Sequence, residues 1–155
     1  MKYEDIVTMY VASFSFAKII AEKFGMEITR DIIKEWAMDL VPPVLEKRRE
    51  ELGLGKRTDL SVKEAQDVII AYDKENGVFW EILEETPERI VTKIEKCPVK
   101  DACALIGADA GEFCGKAFVT MATKMIETLN PKLSWVGEYE PALNKPCRYV
   151  MSYKY

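Results

Sequence analysis

Residues 78–97 read VFWEILEETPERIVTKIEKC, and here the chain changes period. Val78–Glu84 and Arg89–Cys97 are rich in β-branched and aromatic residues, and Thr86-Pro87-Glu88 stands between them as a turn. The pattern predicts two strands joined in a hairpin. Downstream, Leu133–Glu138 and Cys147–Tyr153 predict a second pair of strands, connected through Tyr139–Pro146, with Cys147, Tyr149, Met151 and Tyr153 on one face of the last. Between the pairs, Pro98 opens a short helix that Gly107 closes. Asp109, with Glu112 three residues on, then caps a long helix running to Leu129, and Asn130-Pro131 ends it.

Upstream of residue 78 the period is helical throughout. Glu4–Phe24 predicts a helix ending at Gly25, and its uncharged run Ile6–Ala17 is apolar around nearly the whole circumference. Such a helix is buried on several sides, in the core or against a second subunit. The run is too short to span a bilayer, and it lacks a cationic start and a small-residue cleavage site. Residues 27–41 place Ile28, Ile32, Trp36 and Leu40 on one stripe, and Pro42-Pro43 predicts a stop or kink before the next helix, Val44–Leu52. Lys56–Leu60 reads as a polar connector. Ser61 and Glu64 then form a capping box ahead of a third amphipathic helix, with Val62, Ala65, Val68, Ile69 and Tyr72 inward and Asn76-Gly77 at its end. The expected architecture is a single α+β domain, 1–155. Its helical half (1–76) packs on a ββααββ half (77–155) whose four strands form one antiparallel sheet.

Composition narrows the function. The 155 residues are 48% hydrophobic and 31% charged, enough to build a core, and the formal charge of −4 argues against a phosphate backbone as partner. The absence of histidine excludes Ser-His-Asp triads, Cys-His pairs, HExxH zinc proteases and histidine-ligated haem. One Gln and three Asn beside abundant Lys and Glu give a thermophile-like composition. Four cysteines with no recognisable secretory start predict a cytoplasmic protein holding thiols or ligands rather than a disulfide framework.

The cysteines are spaced C97-x5-C103-x10-C114-x32-C147, with no CxxC. Cys97 leaves the second strand, Cys114 lies in the first turns of the long helix and Cys147 opens the fourth strand. A helix laid along the sheet brings all three to one end of the molecule. There they are candidate ligands for zinc or an iron–sulfur cluster, because soft thiolate sulfur favours those metals. Cys103, mid-helix beside Ala102 and Leu105, reads as core. Cys114 is a candidate nucleophile, since a helix N-terminus favours thiolate, with Glu112 or Asp109 as general acid and base. Lys116 is a candidate for a substrate carboxylate, and Trp80, Trp135, Tyr149 and Tyr153 for pocket walls, with plain core packing as the competing role for the aromatics.

The run ERIVTKIEKCP at 88–98, EFC at 112–114, LNPKLSW at 129–135 and PCRYVMSY at 146–153 together resemble the L-2-amino-thiazoline-4-carboxylic acid hydrolase-like family. The similarity covers about Gly77–Tyr155. It implies Cys97, Cys114 and Cys147 as the residues of interest, and hydrolytic ring opening of a cyclic amidine as the reaction. A fainter similarity, to 4-vinyl-reductase-type domains, implies a small-molecule sensor instead. The expectation is therefore a small-molecule hydrolase of C–N bonds. Its alternative is a thiolate metal- or cofactor-binding small-molecule module without hydrolase activity. In either case the chain is expected to be a homodimer with no nucleic-acid or membrane partner.

Overall fold

The computed structural model describes residues 1–138 and 147–155, so the connection expected over 139–146 lies outside it. Six helical segments and four strands follow one another: α1 (Tyr3–Phe24), α2 (Met26–Glu51), α3 (Val62–Glu75), β1 (Phe79–Glu85), β2 (Arg89–Lys96), α4 (Pro98–Leu105), a π-helical turn (Gly111–Gly115), α5 (Lys116–Glu127), β3 (Leu133–Glu138) and β4 (Arg148–Tyr153). The strands form one antiparallel sheet in the order β1-β2-β4-β3. This is the α+β fold expected from the sequence. Among the described residues no helix is long and apolar enough to cross a membrane.

The local signals act as their chemistry requires. Gly25, at φ 92°, supplies the conformation that lets α2 fold back on α1. Ser61 Oγ accepts from the Glu64 N–H at 3.2 Å while the Glu64 carboxylate accepts from the Ser61 N–H at 2.8 Å, so two otherwise unpaired donors at the start of α3 are satisfied. Replacing Ser61 by alanine is expected to destabilise the fold by about 1 kcal/mol in urea denaturation; an unchanged midpoint would show that water serves the Glu64 N–H equally well. Asn130 does more than end α5. Its Nδ2 donates to the Leu60 carbonyl at 2.8 Å and its Oδ1 accepts from the Lys132 N–H at 2.8 Å, tying β3 to the connector before α3.

The core lies between α2, α3, α5 and one face of the sheet. Ala37, Val41, Leu45, Val68, Ile69, Ile126 and Leu129 meet Ile90, Leu133, Tyr149 and Met151 there. A second cluster joins α1 to α4 and the π-turn through Phe14, Ile33, Val99, Cys103, Phe113 and Ala117.

Four expectations need correction. First, α2 runs unbroken through Pro42 and Pro43. Val41 and Leu45, at 2% and 0% exposure, are gripped by the core on both sides of the prolines, and this packing outweighs the lost backbone hydrogen bonds. Second, the buried row of α2 is Thr29, Ile33, Ala37, Val41, Leu45 and Arg49, whereas Ile28, Ile32, Trp36 and Leu40 are 44–55% exposed. Small Ala37, fully buried, allows the close helix approach that Trp36 would block. Third, α1 buries only Val7 and Phe14 and leaves Met9, Phe16, Ile19 and Phe24 exposed, so it is not covered on several sides within one chain. The long helix expected from Asp109 is also interrupted at its start by the π-turn bounded by Gly111 and Gly115.

Candidate functional site

Three elements end at the same place. Cys97 follows β2 and, in extended conformation, stands at the N-cap of α4, with Pro98 as the first helical residue. Cys147 precedes β4, and its carbonyl accepts from the Ile94 N–H at 2.9 Å, which fixes it beside the end of β2. Cys114 projects from the π-turn. The three thiols line one cavity of about 210 Å³ together with Ile94, Val99 and Ala110, while Glu95, Lys96, Lys100 and Asp101 supply the charged part of its wall. Cys103 is fully buried in the second core cluster, behind this wall.

Three of the four charged residues of the wall are engaged by residues outside it. Tyr3 Oη donates to Asp101 Oδ2 at 2.6 Å, and Lys96 Nζ lies 3.6 Å from the centre of the Tyr3 ring, so α1 braces the cavity from outside. Glu95 pairs with Lys93 at 3.2 Å.

Burial governs the thiols. It pushes Cys147 and Cys103 up to about 11 and Cys114 well above the usual thiol range, with the neighbouring sulfurs adding to the shift at Cys114. Cys97 is raised by burial as well, but the backbone N–H groups of Lys100 and Val99 point toward its sulfur and pull it back. These thiols are protonated at neutral pH, which does not suit a nucleophile at Cys114. Among the described residues no three histidine, cysteine or carboxylate groups stand where one ion could join them. The zinc or iron–sulfur expectation for Cys97, Cys114 and Cys147 therefore finds no fitting donor set among the described residues.

The remaining expected site residues are not part of the cavity wall. Asp109 Oδ1 accepts from the Gly111 N–H at 2.7 Å and serves as a cap. Glu112 pairs with Lys116 and, at 3.4 Å, with Arg30 of α2. Trp135 and Tyr149, each 6% exposed, pack with Trp80 as an aromatic cluster over the sheet, at centroid separations of 4.8–6.2 Å. Tyr153 is at the exposed end of β4. Sequence reasoning missed Lys96, Lys100, Asp101 and Ala110. The first three flank Cys97-Pro98, and the first turn of a helix necessarily shares the place of its N-cap, so the Cys-Pro pair was the available signal.

No protein-family model matches the chain, and no curated protein does. Solved structures do match in shape. The phenol-responsive sensory domain of the transcription activator PoxR, solved with phenol, superposes with a TM-score of 0.66 at 14% identity, over 93% of this chain and 74% of that one. Trafficking protein particle complex subunit 3 from Naegleria fowleri, covalently bound to palmitic acid, superposes with a TM-score of 0.65 at 8% identity, over 99% of this chain and 98% of that one. At these identities the likeness is one of fold: the chain shares the architecture of a sensory domain and of a trafficking subunit.

Proposed function

We propose that the chain is a small-molecule-binding module whose ligand, of single-ring size, occupies the thiol-lined cavity. The observation that carries the reading is the meeting of Cys97, Cys114 and Cys147, from three separate elements, around one space of about 210 Å³. An apolar cavity of about 150 Å³ suffices to take up benzene, so a ring with one substituent suits this volume and a long acyl chain exceeds it. The phenol held by the PoxR sensory domain supports that choice over the palmitate of the trafficking subunit. All four cysteines are free, which suits a reducing, cytoplasmic setting. A homodimer belongs to the same proposal, because α1 and α2 leave large apolar side chains in solvent.

Hydrolysis asks for more than the cavity offers. Ring opening at Cys114 needs a thiolate and a base, whereas its thiol is held protonated, Glu112 is in ion pairs and Asp109 is a cap. We expect no carbamoyl-cysteine from 2-amino-thiazoline-4-carboxylate; turnover lost in Cys114→Ser would establish the hydrolase of the family resemblance instead.

Thermal denaturation with phenol, benzoate and palmitate tests the binding reading. At a hundredfold excess over Kd, a ring compound is expected to add about 2.7 kcal/mol and to raise Tm by roughly 5–10 °C. Ala110→Leu, which fills the cavity, is expected to abolish that shift. The proposal fails if no ring compound moves Tm at saturation, or if Ala110→Leu leaves the shift intact.

A further inference from the structure

The α1–α2 pair carries two apolar stripes in solvent. On α1, Met9, Phe16 and Ile19 are 59%, 66% and 49% exposed. With exposed Ala12 between them they recur at i, i+3, i+7 and i+10, the spacing of a helix–helix seam. On α2, Ile28, Ile32, Trp36 and Leu40 form a second stripe, and Phe24 at the end of α1 adds a further ring. A half-exposed large side chain presents roughly 100 Å², so eight of them present on the order of 800 Å². That is the area per partner of a stable interface.

We infer that this α1–α2 surface joins two copies of the chain about a two-fold axis. The inference rests on the homodimer proposed for the chain and names its surface. A second copy fits because the patch is apolar and carries its own complement: a seam of this spacing packs against an identical seam, and a two-fold axis presents the same surface to itself. On the α1 side no charge falls within Ile6–Ala17, so two copies meet along Met9, Ala12 and Phe16 without like charges in contact. A membrane surface fits less well. Interfacial helices border their apolar face with Lys and Arg, whereas the exposed charges beside the α2 stripe are Asp31, Glu35 and Asp39, which anionic lipid repels. The interface lies apart from the cavity, but α1 touches both. Its outer face carries the seam, and Tyr3 at its start holds Asp101 and Lys96 of the cavity wall.

Sedimentation velocity and light scattering on the full chain test the assignment. The wild type is expected at about twice 17.7 kDa at micromolar concentration. Phe16→Glu and, separately, Trp36→Glu are expected to raise the dimer dissociation constant at least about a hundredfold, with unchanged circular dichroism. Leu83→Glu, at an exposed apolar residue of β1, is expected to leave the dimer intact. Should one variant misfold, the other reads the same surface. A wild type that is monomeric at 100 µM (about 1.8 mg/ml) overturns the homodimer itself. A dimer that survives both helix substitutions, or falls apart with Leu83→Glu, overturns only the surface. A monomer that sediments with phosphatidylcholine–phosphatidylglycerol vesicles makes the face a membrane contact and overturns both.

Discussion

Gly137→Ala is expected to destabilise the fold by about 3 kcal/mol, at the upper end of what one added methyl does in a packed interior. Gly137 lies in β3 directly opposite Tyr149 of β4, and the ring of Tyr149 lies across it. A Cβ there would come within 2.8 and 2.9 Å of the ring's Cζ and Cδ1. The ring has nowhere to go, because Trp135 and Trp80 stand 4.8 and 5.4 Å from its centre and Tyr149 is only 6% exposed. The strain is relieved only by shrinking the ring, so Gly137→Ala combined with Tyr149→Leu is expected to cost clearly less than the sum of the two single changes. Urea denaturation of the four proteins measures it. Additive effects would mean that β3 shifts to accommodate the methyl and that the aromatic cluster does not fix the strand.

That cluster also shows how far the sequence could be read. The strands, their hairpins and the capping box at Ser61 were legible because each rests on neighbours within a few residues. The turn at Thr86-Pro87-Glu88 and the stop at Asn76-Gly77 need no tertiary information. The meeting of Cys97, Cys114 and Cys147 was legible from topology, since two strand ends and a helix start were forced to one end of the sheet. What sequence could not decide was which of two apolar rows of α2 faces inward. Ile28, Ile32, Trp36 and Leu40 are the more hydrophobic, and their row also continues across the prolines to Val44, so spacing alone does not separate it from the buried row Thr29, Ile33, Ala37, Val41, Leu45 and Arg49. A continuous row at spacing four, through Pro42-Pro43, was the signal that α2 is one helix. Trp135 and Tyr149 were open between core and pocket for a related reason. An aromatic strand face has the same pattern whether it meets a ligand or another ring, and here Trp80 closes it.

Asp73→Asn is expected to stabilise the protein at pH 8 by on the order of 2 kcal/mol and to leave it nearly unchanged at pH 4. Asp73 sits in the last turn of α3, and its Oδ2 accepts from Trp80 Nε1 at 2.7 Å. Burial pushes its carboxyl from 3.8 up to about 7, and the Trp80 hydrogen bond offsets only part of that. The folded state therefore keeps a proton that the unfolded chain releases near pH 4. Between pH 4 and 7 the native state binds more protons than the unfolded one, so stability falls as pH rises through this window and is level above it. The full shift corresponds to about 4 kcal/mol, reduced here by the solvent contact that a half-buried residue retains. Asparagine keeps the carbonyl that Trp80 needs and has nothing to ionise, so the contribution of this residue to the slope should vanish. Urea denaturation of both proteins at pH 4 and pH 8 decides it; an equal difference at the two pH values would mean that Asp73 ionises freely in the folded state. A second readout tests the same charge from the other side. Burial sets the high pKa of Cys97 and Cys114, but the negative charge of Asp73 raises both further. Removing it should speed alkylation of these two thiols by iodoacetamide at pH 8.5, while Cys103 and Cys147, on which Asp73 exerts no such pull, react as before.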